Sequence, residues 1–296
     1  MNDTKVAVIT RTKNRPALLK RALESVHSQT YKNFIHVVIN DAGDTGAVNR
    51  LIEGQERLDS KRIKVIHNKE SKGMEAASNK AIRSVESYYI AIHDDDDTWH
   101  PEFLERTVKS LEEADSRGVV VKTDKINEKY DEDSGKIEFI KKSVWMPDLK
   151  VVNLYRQCID NQMTPITFLY TRQAYEEIGG YDEGLPVLGD WDFGIRFLKK
   201  YDVGFLDPGF ALAGYHHRDY KEGSASSNSF GQGAEKHRYY SNKLMNKYLR
   251  EELAEGRLGA GYIMSKLKYE QSYLSKIASR VMPKFISNRL KSRIQY

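Results

Sequence analysis

Cysteine is nearly absent from this chain of 296 residues. Cys158 stands alone, so no intrachain disulfide can form and a thiolate zinc site lacks its ligands. Proline and glycine are modest, at 7 and 20 residues, which excludes collagen-like and low-complexity chains. Long apolar runs are missing too. The opening run Val6-Ala7-Val8-Ile9 is too short for a signal peptide, and no stretch approaches the roughly 18 apolar residues of a membrane span. The expected location is therefore a reducing cytoplasm. A large excess of one charge is also lacking, since the net charge is only +5. Segment 264–296 holds eight Lys/Arg against the single acid Glu270, which leaves the rest slightly acidic. That argues against nucleic-acid binding by the body. It lets the tail meet an anionic membrane surface, peripherally.

What is present is a soluble, globular composition with 40% hydrophobic and 30% charged residues. A chain of this size buries about 75% of its unfolded surface and needs no staples. Its first half alternates strand-like and helix-like segments. The strands are 6–10, 35–39, 63–66 and 88–92; the helices are 17–28, 48–58, 73–85 and 101–114. Repeated strand–helix units predict an α/β fold with a mostly parallel sheet flanked by helices. Ligands of such sheets bind beyond the carboxyl ends of the strands, where the polar clusters 10–15, 40–44 and 94–97 fall. Later, 122–143 reads as an exposed charged hairpin or loop and 166–170 as a strand. Segments 172–178 and 192–200 read as helices, and 203–206 as a strand. The stretch 216–233 reads as a mobile loop, and 234–255 and 262 onward as helices.

Four clusters carry chemistry. Asp94-Asp95-Asp96-Asp97 follows a strand directly. Adjacent carboxylates repel, and hard oxygen donors suit Mg2+ or Mn2+, whose remaining positions substrate phosphates usually fill. Asp190 and Asp192 open a helix around Trp191. One carboxylate there suits a general base facing an acceptor hydroxyl, and Trp191 a stacking face for a sugar. His216-His217-Arg218 offers metal ligands and a phosphate-binding guanidinium. Asn40-Asp41 ends a strand, where a carboxylate can accept the imide N–H of uracil. Alone, each has an ordinary structural reading: a helix cap, a helix-dipole pair, solvated side chains on the surface or an Asx turn.

In order and spacing, these motifs resemble a family 2 glycosyltransferase of the GT-A type, from about Lys5 to about Ser227. Val8–Pro16 resembles the opening strand and nucleotide loop, and Leu19–Thr30 the helix after it. Val37–Asp44 resembles the Asp-Asp-Gly-Ser segment, with Asn40 in place of the first Asp. Gly73–Ile82 matches the Asn-containing helix, and Asp94–Pro101 the acidic motif before Trp-x-Pro. Ile178–Asp182 and Gly189–Asp192 match the acceptor side, Gly189 standing where the family usually has Glu.

The resemblance implies a GT-A-type, Rossmann-like catalytic domain over 1–230, divided into a nucleotide-sugar half (1–121) and an acceptor half (122–230). A basic helical extension (231–296) follows. It implies that Thr10 and Arg11 line the nucleotide site and that Asp41 contacts the base. Asp94 then approaches the ribose or sugar. Asp96, with Asp95 adjacent, holds Mn2+ or Mg2+, and His216 or His217 completes that site. Asp190 is the base, with Trp191 and Asp192 on the acceptor side. The implied reaction is inverting transfer from a nucleoside-diphosphate sugar, a UDP-sugar, to a glycan or lipid-linked acceptor in surface polysaccharide synthesis. Two rival readings are a haloacid-dehalogenase-type phosphatase, from Asp94-x-Asp96-x-Thr98, and a non-catalytic sugar-nucleotide-binding domain.

Overall fold

The computed structural model describes residues 4–54, 59–131, 134–218, 234–257, 259, 261–264 and 266. The expected mobile loop, beyond Arg218, and nearly all of the basic tail lie outside the described residues.

The first half runs β1 (Val6–Thr12), α1 (Pro16–His27), β2 (Phe34–Asp41), α2 (Thr45–Glu53), β3 (Ile63–Asn68), α3 (Met74–Arg83) and β4 (Tyr89–Ile92). The second half continues with β5 (Thr98–Trp99), α4 (Phe103–Glu113), β6 (Gly118–Val121), β7 (Thr123–Tyr130), β8 (Ile137–Val144) and α5 (Leu154–Gln157). It ends with β9 (Phe168–Thr171), α6 (Arg172–Glu177), α7 (Gly189–Leu198), β10 (Gly204–Leu206), β11 (Ala213–Arg218) and α8 (Ala234–Ala254).

Seven strands form the main sheet in the order β10-β6-β9-β4-β1-β2-β3. All pairs are parallel except those of β9, which runs antiparallel to β4 and β6. The continuous apolar run of β1 feeds both faces. Ala7 and Ile9 join one core with Ala77, Ala81 and Ile82 of α3 and Phe193 and Phe197 of α7. Val6 and Val8 join the other with Phe103, Leu104 and Val108 of α4. Side chains alternate across a strand, so a strand covered on both faces reads as unbroken hydrophobicity. The chain steps from β1 to β2 on one side and later returns to β4 on the other. This opens a crevice at the carboxyl end of β1.

The second half departs from expectation in three places. Gly118–Val121 is a buried strand within the main sheet. Segment 122–143 is the hairpin β7–β8, of which only β8 is exposed nearly throughout. His216–Arg218 lies in strand β11, not in a loop; β11 pairs parallel with β7 in a second sheet ordered β5-β11-β7-β8. Charge pairing, set out below, is what lets so polar a strand be buried. The helix α8 packs Leu244, Met245 and Tyr248 onto Trp191 and Ile195 of α7.

Three imidazoles are buried beneath the site. His36 Nε2 lies 2.8 Å from Thr10 Oγ1, and its Nδ1 3.3 Å from His27 Nε2. His93 lies 2.9 Å from the Asp94 carbonyl and 3.2 Å from Ser25 Oγ. Burial pushes His27 down to about 4, His93 down to about 3 and His36 well below the ordinary imidazole range. All three are neutral in the folded protein, whereas the unfolded chain protonates them near pH 6.5. Between pH 6.5 and about 4 the unfolded state therefore binds more protons, and stability falls as pH falls. His27 and His93 each contribute up to about 1.4 kcal/mol per pH unit, and His36 acts in the same direction. Urea midpoints at pH 7, 6 and 5 are expected to drop steeply; equal midpoints at pH 7 and 5 would contradict this.

Candidate active site

The site is assembled where β1, β2 and β4 end, so that the polar residues after each strand converge on one crevice. All four aspartates after β4 have protein partners. Asp94, the most open of them, pairs with Arg11 at the end of β1. Asp95 pairs with Arg15 at 3.1 Å. Asp96 pairs with Arg218 and, at 3.5 Å, with Arg15. Asp97 accepts the His216 backbone N–H at 2.7 Å. Their environments push their acidities apart. Burial raises Asp95 and Asp97, each further raised by Asp96. Burial also opposes ionisation of Asp96, but Arg218, Arg15 and Arg21 outweigh it and hold Asp96 below the ordinary carboxylate range.

A deeper acid anchors this charge cluster. Glu128 on β7 is 3% exposed. Its Oε2 accepts from Arg21 Nη1 at 2.8 Å and lies 2.7 Å from His216 Nδ1. Its Oε1 accepts from Arg21 Nη2 at 3.0 Å and Arg218 Nη1 at 2.6 Å. Burial would raise Glu128, but the bonds from His216 and Arg21 prevail and hold it down at about 2. Arg21 also donates to the Asp96 carbonyl, tying α1 to the acidic loop. Neither Glu128 nor Arg21 was expected at the site. Arg21 is one polar position on a helix, and Glu128 one acid in a charged hairpin.

Asp190 stands in the first turn of α7. Its Oδ2 accepts from Asn161 Nδ2 at 2.8 Å, and its Oδ1 from the Trp191 N–H at 2.9 Å. Burial raises it above the ordinary carboxylate range, against the opposing pull of the Trp191 N–H and Arg11. The turn before it is strained: Leu188 sits in the left-handed region at φ 66°, where a leucine costs energy. Asp190 shares an electrostatic neighbourhood with Arg11 and Asp94, which joins it to the crevice at β1 and β4.

Other expected site residues lie elsewhere or work differently. Thr10 is fully buried and bonded to His36, so its hydroxyl does not line the crevice. Asp41 accepts from Asn68 Nδ2 and Ser71 Oγ, each at 2.7 Å, and from the N–H groups of Lys72 and Gly73; its carboxylate organises the loop before α3. Asn40 donates to the Gly43 carbonyl at 3.0 Å and accepts the Gly43 N–H at 2.8 Å. An aspartate could not make the first of these bonds, which accounts for Asn at this position. Trp191 is buried against α8, its indole N–H donating to the Gln157 carbonyl, so its face is not open to a sugar. Asp192 is fully buried between Arg196 and the Tyr248 hydroxyl and fixes α7 to α8.

The two histidines do not join Asp96 as a ligand set. The ring nitrogens of His216 face Thr98 Oγ1 and Glu128. The His217 ring packs against Tyr215 and Trp145, and its Nε2 is buried without a hydrogen-bond partner. Among the described residues no three His, Cys, Asp or Glu gather as a metal cage. The oxygen donors that fit a divalent ion are Asp95 and Asp96, which suits a cation held by one or two carboxylates and completed by substrate phosphates.

Comparison with known proteins agrees with this geometry. Residues 7–179 match the family described as glycosyl transferase family 2. An uncharacterized glycosyltransferase, YwdF of Bacillus subtilis (strain 168), is 26% identical over 204 residues, covering 67% of this chain and 70% of that protein. The chain spans only 32% of a similar Rickettsia felis glycosyltransferase that is 24% identical. Among solved structures, S. aureus TarS 1–349 in complex with UDP-GlcNAc aligns with a TM-score of 0.61 at 18% identity, covering 82% of this chain and 67% of that one. The mannosyltransferase PcManGT from Pyrobaculum calidifontis, in complex with GDP-Man and Mn2+, aligns with a TM-score of 0.56 at 15% identity, covering 98% and 79%. Among the described residues no helix is long and apolar enough to cross a membrane. With more than half its length matched, and with the sheet and crevice described above, this chain belongs to glycosyl transferase family 2 and is a glycosyltransferase.

Proposed function

We propose that the chain transfers a sugar from a UDP-sugar to a hydroxyl of a glycan or lipid-linked acceptor, with inversion at the anomeric carbon and Asp190 as base. The observation that carries this reading is Asp190 itself. Its carboxylate is oriented by Asn161, has its acidity weakened by burial, and shares the crevice with Arg11 and Asp94. The acceptor hydroxyl attacks the face opposite the leaving diphosphate, and its proton passes to Asp190 as the bond forms. A carboxylate whose proton affinity is raised by burial suits a general base.

The diphosphate end is served by Arg11, Arg15 and Arg218, which are paired to Asp94, Asp95 and Asp96. Fixed guanidiniums beside developing charge stabilise a transition state. Asp95 and Asp96 would hold Mn2+ or Mg2+, which when bound supplies Lewis-acid neutralisation of the leaving phosphate. The Mn2+ in the PcManGT structure and the UDP-GlcNAc in TarS are consistent with this. The phosphatase reading finds no support in the family match over residues 7–179.

The test is to supply a panel of UDP-sugars with glycan acceptors and read the anomeric configuration of the product by NMR. The expected product has the configuration opposite to the donor; a retained configuration would contradict the mechanism.

A further inference from the structure

A second carboxyl group lies beside Asp190. Glu75, in the first turn of α3, is only 4% exposed, and its Oε2 has no hydrogen-bond partner. Its side chain reaches across to the start of α7. A Cβ built on Gly189 would lie 2.3 Å from both Cγ and Oε1 of Glu75. Contact that close forces a shift, so any other residue at 189 would have to displace the Glu75 side chain. The residue that follows is Asp190. Burying a carboxyl oxygen without a partner costs about 1–3 kcal/mol. The packing of α3 does not require it, because α3 reaches the core through Ala77, Ala81 and Ile82. A buried carboxyl oxygen without a partner, packed against the residue before the base, points to function.

We propose that Glu75 is a positioning residue of the transfer site, supplying from α3 a carboxyl group that orients the Asp190 base and the acceptor hydroxyl through the space Gly189 leaves open. This rests on the reading of Asp190 as the base. The charged groups facing Glu75 are Arg11 from β1, Asp94 from the loop after β4, and Asp190 from α7. Burial, Asp190 and Asp94 outweigh Arg11 and push Glu75 up to about 7. Near neutrality a large fraction carries a proton, which leaves the group able to donate a hydrogen bond to an incoming acceptor hydroxyl, where a second carboxylate would repel Asp190.

The arrangement gives a reciprocal test in the full chain. Glu75→Gln, which keeps the volume, and Glu75→Ala are expected to lower kcat at least tenfold with donor KM within twofold of wild type. Gly189→Glu alone is expected to clash, losing activity and melting temperature together. The double variant Glu75→Ala/Gly189→Glu, which returns a carboxyl to the same space from α7, is expected to recover most of the lost kcat. A merely structural role predicts no such recovery. Wild-type kcat in Glu75→Gln, or a folded double variant no faster than Glu75→Ala, would overturn the proposal. Asp190→Asn is assayed alongside: if it turns over normally, the base reading fails, and that failure is distinct from the one for Glu75.

Discussion

Replacing Asp190 by Asn is expected to lower kcat for sugar transfer by about 10²–10⁴-fold, the usual contribution of a positioned general base. Nucleotide affinity should be nearly unchanged. The amide keeps the size and shape of the carboxylate, and its one oxygen can still accept either the Asn161 bond or the Trp191 N–H, so the start of α7 keeps one of its two anchors. What it loses is the capacity to take a proton. Because Asp190 touches none of the arginines that serve the diphosphate end, UDP binding measured by calorimetry should stay within a few-fold of wild type. A variant that turns over at the wild-type rate would remove Asp190 from the mechanism. A variant that loses UDP binding as well would place Asp190 in donor recognition.

Replacing Glu128 is expected to have the largest effect on stability. Removing one partner of a buried ion network costs about 3–5 kcal/mol, because the opposite charges stay buried without compensation. Here Glu128→Ala would leave Arg21 and Arg218 without the carboxylate they share, and His216 Nδ1 without its partner. The strand β11 is polar at His216, His217 and Arg218 and has little apolar reason to stay beside β7. The loss should appear as a lower urea midpoint and, at the site, as weaker nucleotide binding, since Arg218 also holds Asp96. A destabilisation below about 1 kcal/mol would show that water, not Glu128, satisfies these cations.

Which features were legible in the chain follows from how local their causes are. The unbroken runs of β1, β2 and β4 follow from burial on both faces, and their polar ends mark the crevice. The aspartates 94–97 are adjacent in the chain, so their repulsion is visible without a fold. Glu128 is different: it meets Arg21, His216 and Arg218 only after chain separations of 107, 88 and 90 residues. A charged hairpin reads as solvated when half of it, β8, is. β11 reads as a loop for the same reason, since its burial depends on an acid from another strand. Trp191 beside two acids suggests a sugar platform, yet α8 claims its face. The meaning of Gly189 appears only once Glu75 is seen filling its place.

The most direct measurement is isothermal calorimetry of UDP, GDP and CDP against the wild-type protein, each with and without Mn2+. The account predicts saturable binding of UDP, strengthened by Mn2+, with GDP and CDP weaker. Failure of all three nucleotides to bind would contradict a nucleotide-sugar donor in this crevice and, with it, the role given to Asp190.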